Sequence, residues 1–503
     1  MPPRGCASAP KRCLARLPRP PRQKVQPLRV YPMNIPSRRP LFRRQSQSNI
    51  YRIFFWALMA LWGIWFIRGI EVGAIQQVGM ATPTATRSAL SLAEEGDVYF
   101  TTGDLDAAIS AYRDATRIDP QNAEVWAKMA RIQAYSSALL VDAEKLTRLQ
   151  EALISINRAK EAAPDDSTVA AIRAFVLTWN ANQYFYIDKD RYDRLLVEAE
   201  QEVTRALVLD PTNTLALVYH VEILTNQYKL DQANRTMAQA QERGEDLMDL
   251  HRVNAFLLES QGLYNRAIEE YDRAIQITPN LTFLMLRAGA NYRHLASTST
   301  IESQQTLLFE KSLEYFERAA ITNEQIGIQD PAPYISISRS YSQMGEYFAA
   351  SRNVLKALSF NPGKADVYGQ LGIVFFKSRN YEGSILALEC AIRGCTAEES
   401  CEARGGCAQG DPGTDVNGMA LSSDTLVYYY TYGSVLAALS RPQENYCAEA
   451  TSIFNEIRAS VFGSEPTVLG IVQAGEAICA SIGEATPIPN VRTTATPIAT
   501  PQP

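Results

Sequence analysis

The chain has 503 residues, 20% charged and 46% hydrophobic, proportions of a folded protein rather than a disordered or collagen-like one. Its net charge of −5 conceals an asymmetry: residues 1–52 hold 13 Lys/Arg and no acid, and the remaining 36 basic residues face all 54 acidic ones, so 53–503 carry −18. That sign disfavours a nucleic-acid-binding body, and three histidines in all, His220, His251 and His294, weaken any His-based metal centre or general base.

In chain order, the basic stretch 1–52 reads as a disordered cytoplasmic segment. It contains Cys6 and Cys13 and ends in Arg38, Arg39, Arg43, Arg44 and Arg52. An uncharged run follows from Ile53 to Ile67 and extends to Ile75 through Arg68 and Glu71, which stand three apart and can pair near the outer interface. Residues 53–75 would span about 34 Å as a helix, enough for a membrane, and Trp56, Trp62 and Trp65 suit its interfaces. The positive flank keeps the N-terminus in the cytoplasm and sends the body across. A cleaved signal peptide competes, with Ala81 and Ala85 near a cleavage site, and so does initiation at Met33. Residues 76–88 form a Thr/Pro linker, and residues 485–503 a Thr/Pro-rich disordered tail.

Between them the chain repeats itself. Gly103, Ala108, Ala115 and Pro120 recur as Gly262, Ala267, Ala274 and Pro279 and as Gly345, Ala350, Ala357 and Pro362. The Ala–Ala–Pro spacing returns at 152, 159 and 164 and at 199, 206 and 211, while Ala233 and Ala240 lead to Glu245. Seven residues before each turn glycine stands Gly96, Ala255 or Ser338. Alanines seven apart share one helix face and admit a close neighbour. Glycine ends the first helix of each unit and proline stops the second.

A unit of about 34 residues with this pattern resembles the tetratricopeptide repeat (TPR) family. The resemblance covers 89–466. Its clearest copies are 89–122, 248–281 and 331–364. Next comes 365–395, with Gly372 and Ala391 in pattern and Arg379 at the glycine turn site. Weaker units at 123–166, 167–213, 214–247, 282–324 and 426–466 bring the number to about nine, with insertions near 135–147, 178–194 and 297–307. The resemblance implies an all-α solenoid whose concave face is lined by the first helix of each unit. Residues 467–484 read as one capping helix. Some members clamp a peptide carboxylate with Lys and Asn. Here the corresponding faces carry Arg252, Phe256 and Glu259 in one unit and Ile335, Arg339 and Ser342 in another, with no such repeated set.

Six cysteines cluster late: Cys390, Cys395, Cys401, Cys407, Cys447 and Cys479. Their even number fits three disulfides in an oxidising compartment. The favoured pairing keeps the first four within the Gly/Asp/Ser-rich insertion 393–424 and ties Cys447 to Cys479. A zinc site lacks any CxxC or nearby His, and free buried thiols are the plain alternative.

No phosphate-binding, dinucleotide, metalloprotease or nucleophile-elbow motif is present, so neither catalysis nor a cofactor or metal is expected. The aromatic run Tyr428 to Tyr432 reads as repeat packing rather than a recognition surface. The expectation is a single-pass protein with an extracytoplasmic TPR body. It would act as a scaffold binding protein or peptide partners along its groove, without nucleic acid. An accessory subunit of a cell-envelope biosynthesis or secretion enzyme is the alternative.

Overall fold

The computed structural model describes residues 49–71, 87–185, 187–243, 246–407 and 413–484. The basic segment to residue 48, with Cys6, Cys13 and Met33, lies outside the described residues. So do the expected anchor end at 72–75, most of the linker, Glu245 and the tail 485–503. The chain forms two units, 1–85 and 86–503.

In the first unit, α1 (Ile50–Glu71) follows from an unbroken apolar run. Its segment Ile50–Arg68 is 19 residues long with mean hydropathy 1.7, and its Phe and Trp side chains are exposed. That is long and apolar enough to cross a membrane, a property a signal sequence shares.

The second unit is all-α among its described residues, apart from two two-residue strands. The helices come in nine pairs. Those up to residue 277 are α2 (Ala89–Thr102) with α3 (Leu105–Ile118), α4 (Ala123–Ser136) with α5 (Asp142–Ala162), α6 (Ser167–Asn182) with α7 (Lys189–Leu209), α8 (Thr214–Asn226) with α9 (Leu230–Gln241), and α10 (Met248–Ser260) with α11 (Tyr264–Ile277). There follow α12 (Thr282–Thr298) with α13 (Glu302–Gln325), α14 (Ala332–Met344) with α15 (Tyr347–Phe360), and α16 (Ala365–Lys377) with α17 (Tyr381–Ile392). After α18 (Ala397–Ala403), α19 (Leu426–Leu439) pairs with α20 (Cys447–Ala459), and α21 (Pro466–Glu484) closes the stack.

Local chemistry sets these boundaries. Asp104, Asn122, Asp166 and Asn213 each accept a hydrogen bond from a first-turn amide, the usual N-cap arrangement. Gly103 and Gly345 end their helices in the left-handed region, where a side chain is costly. Helices α3, α5, α7, α11 and α15 each stop two residues before Pro120, Pro164, Pro211, Pro279 or Pro362, because a residue preceding proline avoids helical geometry. The insertions lengthen the second helices: α5 and α7 have 21 residues and α13 has 24, against 14 in α3.

Small residues on the first helix receive large ones from the second. The repeat alanines, from Ala108 and Ala115 to Ala350 and Ala357, are buried, as are Ala255 and Ala391. A Cβ on Gly96 would lie 2.7 Å from the Tyr112 ring, on Gly289 2.6 Å from Phe316, on Gly372 2.4 Å from Leu388, and on Gly433 2.6 Å from Phe454. Two large hydrophobic clusters result, one from Leu92 to Ala319 and one from Val354 to Val472. The seam between them, along α13 and α14, is partly polar, with Ser312 and Ser340 hydrogen-bonded at 2.8 Å.

Candidate functional site

The surface expected to bind a partner is the inner face made by the first helices. Over the first half of the body that face is filled. Phe100 of α2, Tyr135 of α4, Phe175 and Trp179 of α6, Tyr219 of α8 and Phe283 of α12 form one ring cluster. Their centroids lie 4.7 Å apart for Phe175 and Tyr219 and 5.6 Å apart for Tyr135 and Phe283.

Charges are sealed into the same cluster. Asp249 is fully buried and accepts hydrogen bonds from the Tyr135 and Tyr219 hydroxyls and from Arg131. Arg252 forms a two-pronged pair with Glu222 at 3.0 and 2.7 Å, and the Trp179 indole N–H donates to the same carboxylate at 3.1 Å. Burial works to raise the Asp249 carboxyl, but Arg131 and Arg252 hold it below its ordinary range, so it stays charged and each cation has its acid.

At the edge, the Asn280 side-chain amide donates to the Thr102 carbonyl at 2.7 Å. A Cβ on Gly103 would stand 2.3 Å from that of Asn280. The array therefore curls far enough for the loop between its fifth and sixth pairs to touch its first pair. The Arg252 side chain, read from sequence as part of an accessible concave face, is interior, and Glu259 is engaged by Arg287 at 2.8 Å. Local periodicity carries no signal for this closure.

The inner face opens in the second half. Arg293 of α12, Ser338, Arg339, Ser342 and Gln343 of α14, and Gln370, Ile373, Val374 and Lys377 of α16 line one groove with Val427 and Tyr428 of α19. Its volume is about 340 Å³. Arg339, Gln343 and Lys377 are exposed along it. Ile335, read with Arg339 and Ser342 in the sequence, lines a different cavity.

None of the three groove cations meets a carboxylate among the described residues. Arg293 donates to the Ser336 carbonyl at 3.1 Å and lies over the Phe316 ring. Arg339 donates to Gln370 at 3.2 Å, and Lys377 reaches Ser342 at 3.5 Å. Burial, with Arg339 close by, lowers Arg293 to about 10. The nearby Asp366 is turned to Tyr428 and Gln370, at 2.8 and 2.7 Å. The aromatic run packs inward: Tyr428, Tyr429 and Tyr432 are buried, and Tyr432 donates to Glu449 at 2.7 Å.

The late cysteines lie in three bonded pairs: Cys390–Cys395, Cys401–Cys407 and Cys447–Cys479. The first ties the end of α17 to β1 (Gly394–Cys395), which pairs antiparallel with β2 (Val416–Asn417). The last fastens α20 to α21, where Arg458 and Glu476 also pair. The insertion is not free of the core, since Ala403 and Val416 are buried in the second cluster. The histidines stand on three different helices. His251 bridges Glu270 and Asp246 at 2.7 and 2.9 Å, and His294 packs on Tyr264.

Residues 96–139 match the family model described as a TPR repeat. A search of curated proteins returns no match. Among solved structures, the human IFIT1 dimer with PPP-AAAA is similar at 12% identity, over 79% of this chain and 84% of that one, with a TM-score of 0.49. A thermophilic TPR protein of Thermus thermophilus is similar at 20% identity, over 41% of this chain and 98% of that one, with a TM-score of 0.33. The APC/C hetero-tetramer Cut9–Hcn1 gives 14% identity and a TM-score of 0.44 over 63% of this chain, which spans about half (53%) of that one. One stretch of the chain thus matches the TPR repeat model, and the nine helical pairs among the described residues stack in TPR-like fashion.

Proposed function

We propose that the chain is a membrane-anchored, extracytoplasmic scaffold that binds protein partners on the inner face of its C-terminal helical pairs. The groove over α12, α14, α16 and α19 carries this reading, because it is where successive first helices leave an accessible, mixed polar and apolar lining. The filled inner face of the preceding pairs then acts as a rigid support. The long apolar helix α1 supports anchoring. The three disulfides support an oxidising compartment.

Two measurements test the two halves of the proposal. A photo-crosslinking residue at Gln370 should capture discrete partners in intact cells, whereas one at Val208, exposed on α7, should not. Equal capture from both sites would refute the groove. A membrane-impermeant maleimide should label the six late cysteines of intact cells only after reduction. Labelling that needs lysis but no reductant would refute the outside location.

A further inference from the structure

The body is strongly acidic, yet Arg293, Arg339 and Lys377 converge on one groove without a carboxylate partner among the described residues. The cations on the inner face of the earlier pairs do meet acids: Arg131 with Asp249, Arg252 with Glu222, Arg173 with Glu198 and Glu202. Charges left in this way attract a complementary group. We infer that the groove takes a short acidic segment of a partner protein. Its carboxylates would meet Arg293, Arg339 and Lys377, and an apolar side chain between them would rest on Ile373, Val374 and Val427.

This deepens the protein-binding reading and rests on it. The lining selects the occupant. Alternating cationic and apolar positions fit a peptide with both kinds of side chain. A nucleic acid would need a long basic track and free aromatic faces, whereas the groove's one ring, Tyr428, is buried and the acidic body repels a polyanion. Residues 1–52, 72–88 and 485–503 contain no Asp or Glu, so none of these stretches supplies the carboxylates.

The test uses the full chain in detergent. A displayed library of random 12-residue peptides is selected on it, and the recovered peptides are synthesised and titrated by fluorescence anisotropy. Recovered peptides should be enriched in Asp and Glu, and replacing those acids by Gln should weaken binding about tenfold or more. R339Q and K377Q, at exposed positions, should each weaken it about tenfold while leaving the melting curve unchanged. R293Q should act likewise, with its melt as control because Arg293 is half-buried. Peptides without acid enrichment, indifferent to R339Q and K377Q but still crosslinked from Gln370, would overturn this inference and leave the protein-binding reading standing. Failure to retain any peptide would overturn both. Tighter binding of a single-stranded oligonucleotide at the same residues would replace the acidic segment with a polyanion.

Discussion

Replacing Gly96 with alanine should loosen the first helical pair, although alanine is the better helix former. The added methyl would lie 2.7 to 2.9 Å from three atoms of the Tyr112 ring. That ring is completely buried, and its hydroxyl donates to Asp97 at 2.6 Å, so it is held at both ends and cannot swing aside. Overpacking of this kind costs about 1–3 kcal/mol, while the intrinsic helix preference returns about 1 kcal/mol. The net is about 1 kcal/mol of destabilisation, which speeds local opening about fivefold. Gly470 on α21 is the internal control, because it is exposed and a Cβ there would meet nothing within 4 Å. G470A should therefore stabilise its helix by about 1 kcal/mol. Hydrogen exchange read peptide by peptide suits a repeat array, whose units open locally. Amides of α2 and α3 should exchange faster in G96A, and those of α21 more slowly in G470A. Wild-type or slower exchange of α2 in G96A would refute the packing argument.

Three further outcomes are expected. Tyr228 and Arg379 occupy the turn-glycine position with φ of 58° and 64°. Y228G and R379G should each stabilise the protein by about 1 kcal/mol in denaturant titrations. D249N leaves Arg131 and Arg252 without their shared acid inside the filled face. It should destabilise by about 3–5 kcal/mol, with α4 and α10 amides exchanging faster together. The Glu270 hydrogen bond, opposed by partial burial and aided by Asp246, raises His251 above its ordinary 6.5. That stabilisation is complete below about pH 6.5 and is lost as pH climbs through the raised value. The melting temperature should fall across that interval, and H251Q should remove His251's share of the fall.

The particular residues that were legible are those whose partners lie close in sequence. Gly96 and Tyr112 are sixteen residues apart within one pair, so the spacing that names a helical unit also names its contact. The turn site could be read even where glycine is missing: Arg379 stands at the glycine turn site of its unit and takes a φ of 64°. Arg131 and Asp249 are 118 residues apart, and nothing periodic links them. Arg339 was placed on the concave face by the sequence, but its convergence with Arg293 and Lys377 was hidden for a related reason. Arg293, Arg339 and Lys377 sit at irregular intervals, because the lengthened α13 breaks the repeat between the first two.

The sequence by itself therefore determined the all-α class, the paired helices, their starts and stops and the apolar N-terminal helix, since capping, proline stops and helix-face periodicity act within a few turns of chain. Only the tertiary structure decided that the first six pairs curl until their inner face is filled and that the later pairs leave a groove whose cations lack acids. Such curvature accumulates from small rotations between neighbouring pairs, each set by how side chains of different volume interlock. The sum over several pairs is written in no single local pattern.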